Sequence, residues 1–169
     1  MKGRTLLALT SSLAVLAVAL PGSAVAKQGG TDRPVKGSGT GTTTVDLATL
    51  AASGQRTAII SHLGRTTWSE NFTVTLTGAT TFTTTGTATF VAANGDQLFA
   101  TQTGSGTSTG IGVGETIDVT NVYTITGGTG RFADASGTLT ARVDVTTVSL
   151  VGTTLGFRDE YSFEGRISY

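Results

Sequence analysis

The stretch Leu155-Gly156-Phe157-Arg158-Asp159-Glu160-Tyr161-Ser162-Phe163-Glu164-Gly165-Arg166-Ile167-Ser168-Tyr169 decides the fold. Leu155, Phe157, Asp159, Tyr161, Phe163, Ile167 and Tyr169 share one parity, and Arg158, Glu160, Ser162, Glu164, Arg166 and Ser168 share the other. A strand turns successive side chains to opposite faces, so this segment has one apolar face and one solvated face. Working back along the chain, Leu139, Ala141, Val143 and Val145 alternate with Thr138, Thr140, Arg142 and Asp144. Ile117, Val119, Asn121, Tyr123 and Ile125 alternate with Thr116, Asp118, Thr120 and Thr124, and Phe72, Val74 and Leu76 with Thr73, Thr75 and Thr77. Strands buried on one side belong to antiparallel sheets.

Thr, Val, Ile and Phe dominate the chain from Gly41 onward, with Gly and Asn-Gly as punctuation and no segment of helical periodicity. These residues suit a pleated, half-buried surface and serve helices poorly. Ala93-Asn94-Gly95-Asp96 predicts a two-residue hairpin loop with positive φ at both Asn94 and Gly95, which sets Phe90 opposite Phe99 and Val91 opposite Leu98. Gly127 to Gly137 reads as a turn, a single helical turn and the start of another strand. Seven or eight strands then follow in meander order, with a greasy face to bury and edges to hide. The expectation is an all-β protein, a single closed antiparallel barrel of about eight strands. A two-sheet sandwich is the alternative.

The opposite end of the chain predicts export. Lys2 and Arg4 precede an apolar run from Leu6 to Leu20, followed by Pro21-Gly22 and Ser23-Ala24-Val25-Ala26, the order of a secretory signal with cleavage after Ala26. The run is too short for a membrane anchor and stops at a helix breaker. The domain reading is a signal peptide at 1–26, a flexible leader at 27–37 and the barrel at 38–169, with a secreted, extracytoplasmic product. Loss of Lys2 and Arg4 tips eleven basic against eleven acidic residues to the acidic side, and no basic stretch tracks phosphates, so nucleic acid is not an expected partner. No later segment is long and apolar enough for a helical membrane span. With no cysteine, the exported domain is held by its core and strand pairing.

Two stretches carry a family resemblance. Gly86-Thr87-Ala88-Thr89-Phe90-Val91-Ala92-Ala93-Asn94-Gly95-Asp96-Gln97-Leu98-Phe99, with Tyr123-Thr124-Ile125-Thr126-Gly127-Gly128-Thr129-Gly130-Arg131-Phe132, resembles small exported bacterial proteins related to the allene oxide cyclase and dirigent barrels of plants. The resemblance implies an eight-stranded antiparallel barrel, often trimeric, with an apolar interior able to take a hydrophobic small molecule. It transfers no active site. Plant cyclases use a glutamate and a cysteine in the barrel, and this chain lacks cysteine.

The chemistry-bearing residues are few. His62 is the one histidine, and the carboxylates are scattered without ligand spacing, so no metal or other cofactor and no catalytic set is assigned. Ser61 and His62 are neighbours in an expected strand and point apart, with His62 near the rim. The glycine runs lack the Lys-Ser or Lys-Thr of a phosphate loop. More telling are polar residues on the apolar parity: Glu70 between Trp68 and Phe72, Asn121 between Val119 and Tyr123, and Asp159 between Phe157 and Tyr161. A polar group facing an apolar interior requires a partner or a ligand. Either each lies at a strand end, at a bulge or beside an Arg, or they supply the polar contacts of a pocket. The candidate ligand-binding set is Trp68, Glu70, Asn121, Tyr123, Asp159 and Tyr161, with Phe72, Phe157 and Phe163 as further wall. The expected function is non-catalytic binding of an apolar small molecule, or a structural role; the alternative is an isomerase, cyclase or dirigent-like guide acting on a hydrophobic substrate.

Overall fold

The computed structural model describes residues 30–169, so the expected signal peptide and its cleavage site lie outside the described residues. Eight strands follow one another in meander order: β1 (Asp32–Asp46), β2 (Ala51–Ile60), β3 (Gly64–Leu76), β4 (Thr81–Val91), β5 (Gln97–Ser108), β6 (Thr116–Gly128), β7 (Ser136–Val151) and β8 (Thr154–Ser168). Every neighbouring pair is antiparallel, and β1 pairs with β8 from Asp32↔Ser168 to Asp46↔Thr154, which closes the sheet into a barrel. Closure removes the two edges that an open sheet would expose. The parity read from the sequence is the burial pattern observed: along β8, Leu155, Phe157, Asp159, Tyr161, Phe163 and Ile167 point in, and Arg158, Glu160 and Glu164 point out. None of the described helices is long and apolar enough to cross a membrane.

Three local readings are corrected. Residues 32–37, assigned from composition to a flexible leader, form the first part of β1. Gly and Lys are poor strand formers, but here the ladder to β8 and the full burial of Val35 outweigh propensity. Gly37, Gly39 and Gly41 take inward positions opposite Phe163, Tyr161 and Asp159, where larger side chains would collide with β2.

The β4–β5 hairpin has a three-residue loop rather than two. Ala92 N donates to Asp96 O at 2.9 Å and Gly95 N to Ala92 O at 2.9 Å; only Gly95 has positive φ, at 88°. This is a tight turn followed by a left-handed glycine. Asn94 Nδ2 donates to Asp96 Oδ2 at 2.7 Å, which holds the longer loop. The register shifts by one, so Phe90 pairs with Leu98 and both point inward, while Phe99 turns outward.

Ser61 and His62 lie in the β2–β3 turn, not in a strand. His62 has φ 67°, sits exposed at the rim and approaches Pro34 O at 3.0 Å through Nε2.

The barrel interior is filled at one end. Trp68 stacks on Phe90 with centroids 5.6 Å apart and meets Tyr161 and Phe163 edge-on at 5.1 and 5.3 Å, while Phe90 meets Tyr123 at 5.4 Å. Each such burial is worth about 1.5–3 kcal/mol in removed apolar surface. Leu63 of the β2–β3 turn and Phe132 complete the plug, both essentially inaccessible. Phe132 belongs to the helical turn Gly130–Phe132 expected from the sequence, and its ring meets Tyr169 at 4.9 Å. Arg131 Nη2 donates to His62 O at 2.7 Å, tying this turn to the β2–β3 turn. The Gly-Gly-Thr-Gly-Arg-Phe motif is therefore a stopper for one barrel mouth.

Candidate functional site

At the other end the barrel is hollow. A cavity of about 440 Å³ opens between the connections 47–50, 77–80 and 109–115. Its walls are Val45, Phe72, Val74, Phe82, Ile117, Val119, Val145, Leu155 and Phe157, the inward positions at the ends of six strands. Leu76 and Ile111 at the rim are exposed, so the mouth too is apolar. The volume falls in the range of small-molecule pockets.

The floor is polar, and it lies where the hollow half meets the aromatic half. It is formed by Thr43, Arg56, Thr84, Gln102, Asn121, Asp159 and Tyr161. Each sits on an inward strand position, so pleat alone aims these side chains at one another. Arg56 is the centre. Its Nη1 lies 3.1 Å from Glu70 Oε2 and its Nη2 3.4 Å from Asp159 Oδ2, with all three side chains almost completely buried. Arg56 Nη2 also donates to Thr43 Oγ1 at 2.7 Å, and Thr43 Oγ1 donates to Asp159 Oδ2 at 2.5 Å. The guanidinium carbon stands 5.2 Å from the Tyr161 ring centroid and 5.9 Å from that of Trp68, within cation–π range.

The carboxylates are further held from below. Trp68 Nε1 donates to Glu70 Oε1 at 3.2 Å, and the Tyr123 hydroxyl donates to the same oxygen. Tyr161 donates to Asp159 Oδ2 at 3.4 Å. Beside this cluster, Gln102 Nε2 donates to Thr84 Oγ1 at 2.7 Å and to Asn121 Oδ1 at 2.8 Å. Burial works to lower the pKa of Arg56, but the charge of Glu70, joined by that of Asp159, outweighs it and holds the guanidinium above its ordinary value. Burial pushes the Tyr123 phenol well above its usual range, and nearby Glu70 pushes it the same way. Tyr161 is also raised, chiefly by burial, with Arg56 opposing. Both tyrosines are thus fixed as neutral donors.

Some buried polar atoms of the floor have no hydrogen-bond partner within the protein: Asp159 Oδ1, Gln102 Oε1 and Arg56 Nε among them. Each such atom is costly to bury unmet and calls for a partner from outside the protein, a water or a ligand.

The six candidates from the sequence divide between two layers. Asn121, Asp159 and Tyr161 line the cavity; Trp68, Glu70 and Tyr123 do not, and lie in the packed layer beneath, where they brace Arg56 and one another. Phe72 and Phe157 are wall, while Phe163 belongs to the filled half. Sequence reading missed Arg56, Thr43, Thr84 and Gln102. The signal was present in parity: Arg56 shares it with Ala58 and Ile60, Gln102 with Leu98 and Ala100, Thr43 with Val45, and Thr84 with Ala88 and Phe90. No family model matches the chain, and neither a curated protein nor a solved structure matches it.

Proposed function

We propose that this protein is a binder of apolar small molecules that carry one polar end, exported by the leader read at residues 1–26. The observation that carries the reading is a cup with apolar walls, open at one mouth and closed by a polar floor with unmet hydrogen-bonding atoms. Burial of an apolar body against the walls supplies affinity, and the floor fixes orientation. A filled interior would have favoured a purely structural role; the packed rings of Trp68, Phe90, Tyr123 and Phe163 fill one half, while Phe72, Phe82 and Phe157 line the cavity in the other.

The test is titration with the neutral apolar dye N-phenylnaphthylamine, whose emission should rise on binding to the purified 27–169 chain. Val145→Trp, which places an indole in the cup, should remove the signal while circular dichroism stays that of a β-barrel. A wild-type protein that leaves the dye dark sinks the reading.

A second reading, a proton-transferring isomerase, rests on Asp159 Oδ1, an acceptor at the floor with no partner in the protein. It requires that a bound hydrophobic ketone exchange its α-protons with heavy water faster than free ketone, and that Asp159→Asn abolish this. Binding without exchange leaves the first reading alone.

A further inference from the structure

The floor of the cup carries buried acceptor oxygens. Two residues that line it, Asp159 and Gln102, each keep an acceptor oxygen with no partner in the protein, although their side chains are almost wholly buried. Thr43 Oγ1 and Tyr161 OH give their hydrogens to the other carboxylate oxygen, Asp159 Oδ2, and Gln102 Nε2 gives its own to Thr84 and Asn121. The charge count points the same way. Two carboxylates, Glu70 and Asp159, face one guanidinium, so the cluster carries one net negative charge when all three are ionised. Arg56 Nε is a donor without an acceptor, but the Arg56 charge is already shared by two carboxylates, and a third anion would gain little from it.

We infer that the cup selects ligands whose polar end is a hydrogen-bond donor, a primary ammonium first and an alcohol second, and rejects fatty carboxylates. A ligand ammonium has three N–H donors to offer to such acceptors, Asp159 Oδ1 first, and brings a positive charge to a cluster with two carboxylates and one guanidinium. A hydroxyl offers one donor and no charge. A carboxylate has no donor and sets a like charge against Asp159, which opposes binding. This inference rests on the small-molecule-binding reading and adds the head-group class.

The experiment is displacement of N-phenylnaphthylamine by decylamine, decanol and decanoate, matched in chain length, at neutral pH. The expected order is amine, then alcohol, then carboxylate, with about tenfold or more between the first and the last. Asp159→Asn, checked for fold by circular dichroism, should collapse that ratio toward unity. Decanoate binding as well as or better than decylamine overturns the inference while leaving the binding reading intact. A ratio unchanged in Asp159→Asn also overturns it. If the dye binds and none of the three decyl compounds displaces it, the floor accepts no polar end and the inference fails; if the dye itself does not bind, both readings fall together.

Discussion

Arg56 Nη2 lies 3.4 Å from Asp159 Oδ2, and the contact joins β2 to β8, two strands that do not pair with each other. The ion pair therefore spans the barrel wall across β1, at the level where packed rings give way to open cavity. It braces the sheet against flattening and at the same time serves as floor.

Removing the cation alone should be severe. Arg56→Met leaves Glu70 and Asp159 buried and facing each other without a counter-charge, and the expected loss is about 3–5 kcal/mol by chemical denaturation. A triple variant, Arg56→Met with Glu70→Gln and Asp159→Asn, keeps the acceptors that Trp68, Tyr123 and Thr43 need and removes the stranded charge. It should be clearly more stable than Arg56→Met. Equal stability of the two would show that charge pairing is not what Arg56 contributes.

The raised tyrosines set an alkaline limit. Burial disfavours the phenolate and pushes both Tyr123 and Tyr161 well above the ordinary tyrosine range. Their contribution to stability is whole below the unfolded pKa of about 10 and is lost as pH rises through the folded values. Stability should therefore fall above about pH 10, and tyrosinate absorbance from these two residues should appear only with unfolding. Two further phenols that ionise while the β-sheet signal is still native would contradict their burial.

The hairpin discriminates between its two central residues. Gly95 has φ 88° and open space around an added Cβ, so Gly95→Val is penalised through backbone strain alone, about 1 kcal/mol or more. Asn94 has no positive φ and contributes its side-chain bonds to Asp96, so Asn94→Ala should cost less, about 0.5–1 kcal/mol. Thermal melts of both variants decide the order, and an equal loss would restore the two-residue loop.

Strand parity was legible because it is local: each strand writes its inward face every second residue, and Leu155 to Tyr169 alone shows it. Polar residues on that face, Glu70, Asn121 and Asp159, could be singled out for the same reason. What holds them could not be read, because Arg56 meets Glu70 and Asp159 only through barrel closure, and no spacing in the chain encodes that distance. Nor could the boundary between filled and hollow halves, which depends on the sizes of facing side chains at one level of the barrel. The register at Asn94-Gly95 was misread by one because the Asn-Gly pair fits a two-residue turn as readily as a three-residue one, and the Asp96 contacts that settle it are themselves consequences of folding.

Gly104 links the fold to the floor in one substitution. It pairs with Asn121 across β5–β6, and a Cβ there would overlap Asn121 Oδ1 and Thr84 Oγ1, the two groups that Gln102 Nε2 bonds. The missing side chain is thus the space in which the amide network forms. Gly104→Ala should cost about 1–3 kcal/mol, the usual penalty for forcing extra volume into a packed site. It should also weaken displacement of N-phenylnaphthylamine by decylamine, since Gln102 Oε1 can no longer keep its place. Gly152→Ala is the contrast: its φ of 59° imposes strain, but no atom lies near its added Cβ and it sits in the β7–β8 turn away from the floor. That variant should lose stability with ligand affinity intact. If both variants lose stability and neither loses affinity, the Gln102 network is scaffolding for the barrel and takes no part in the site.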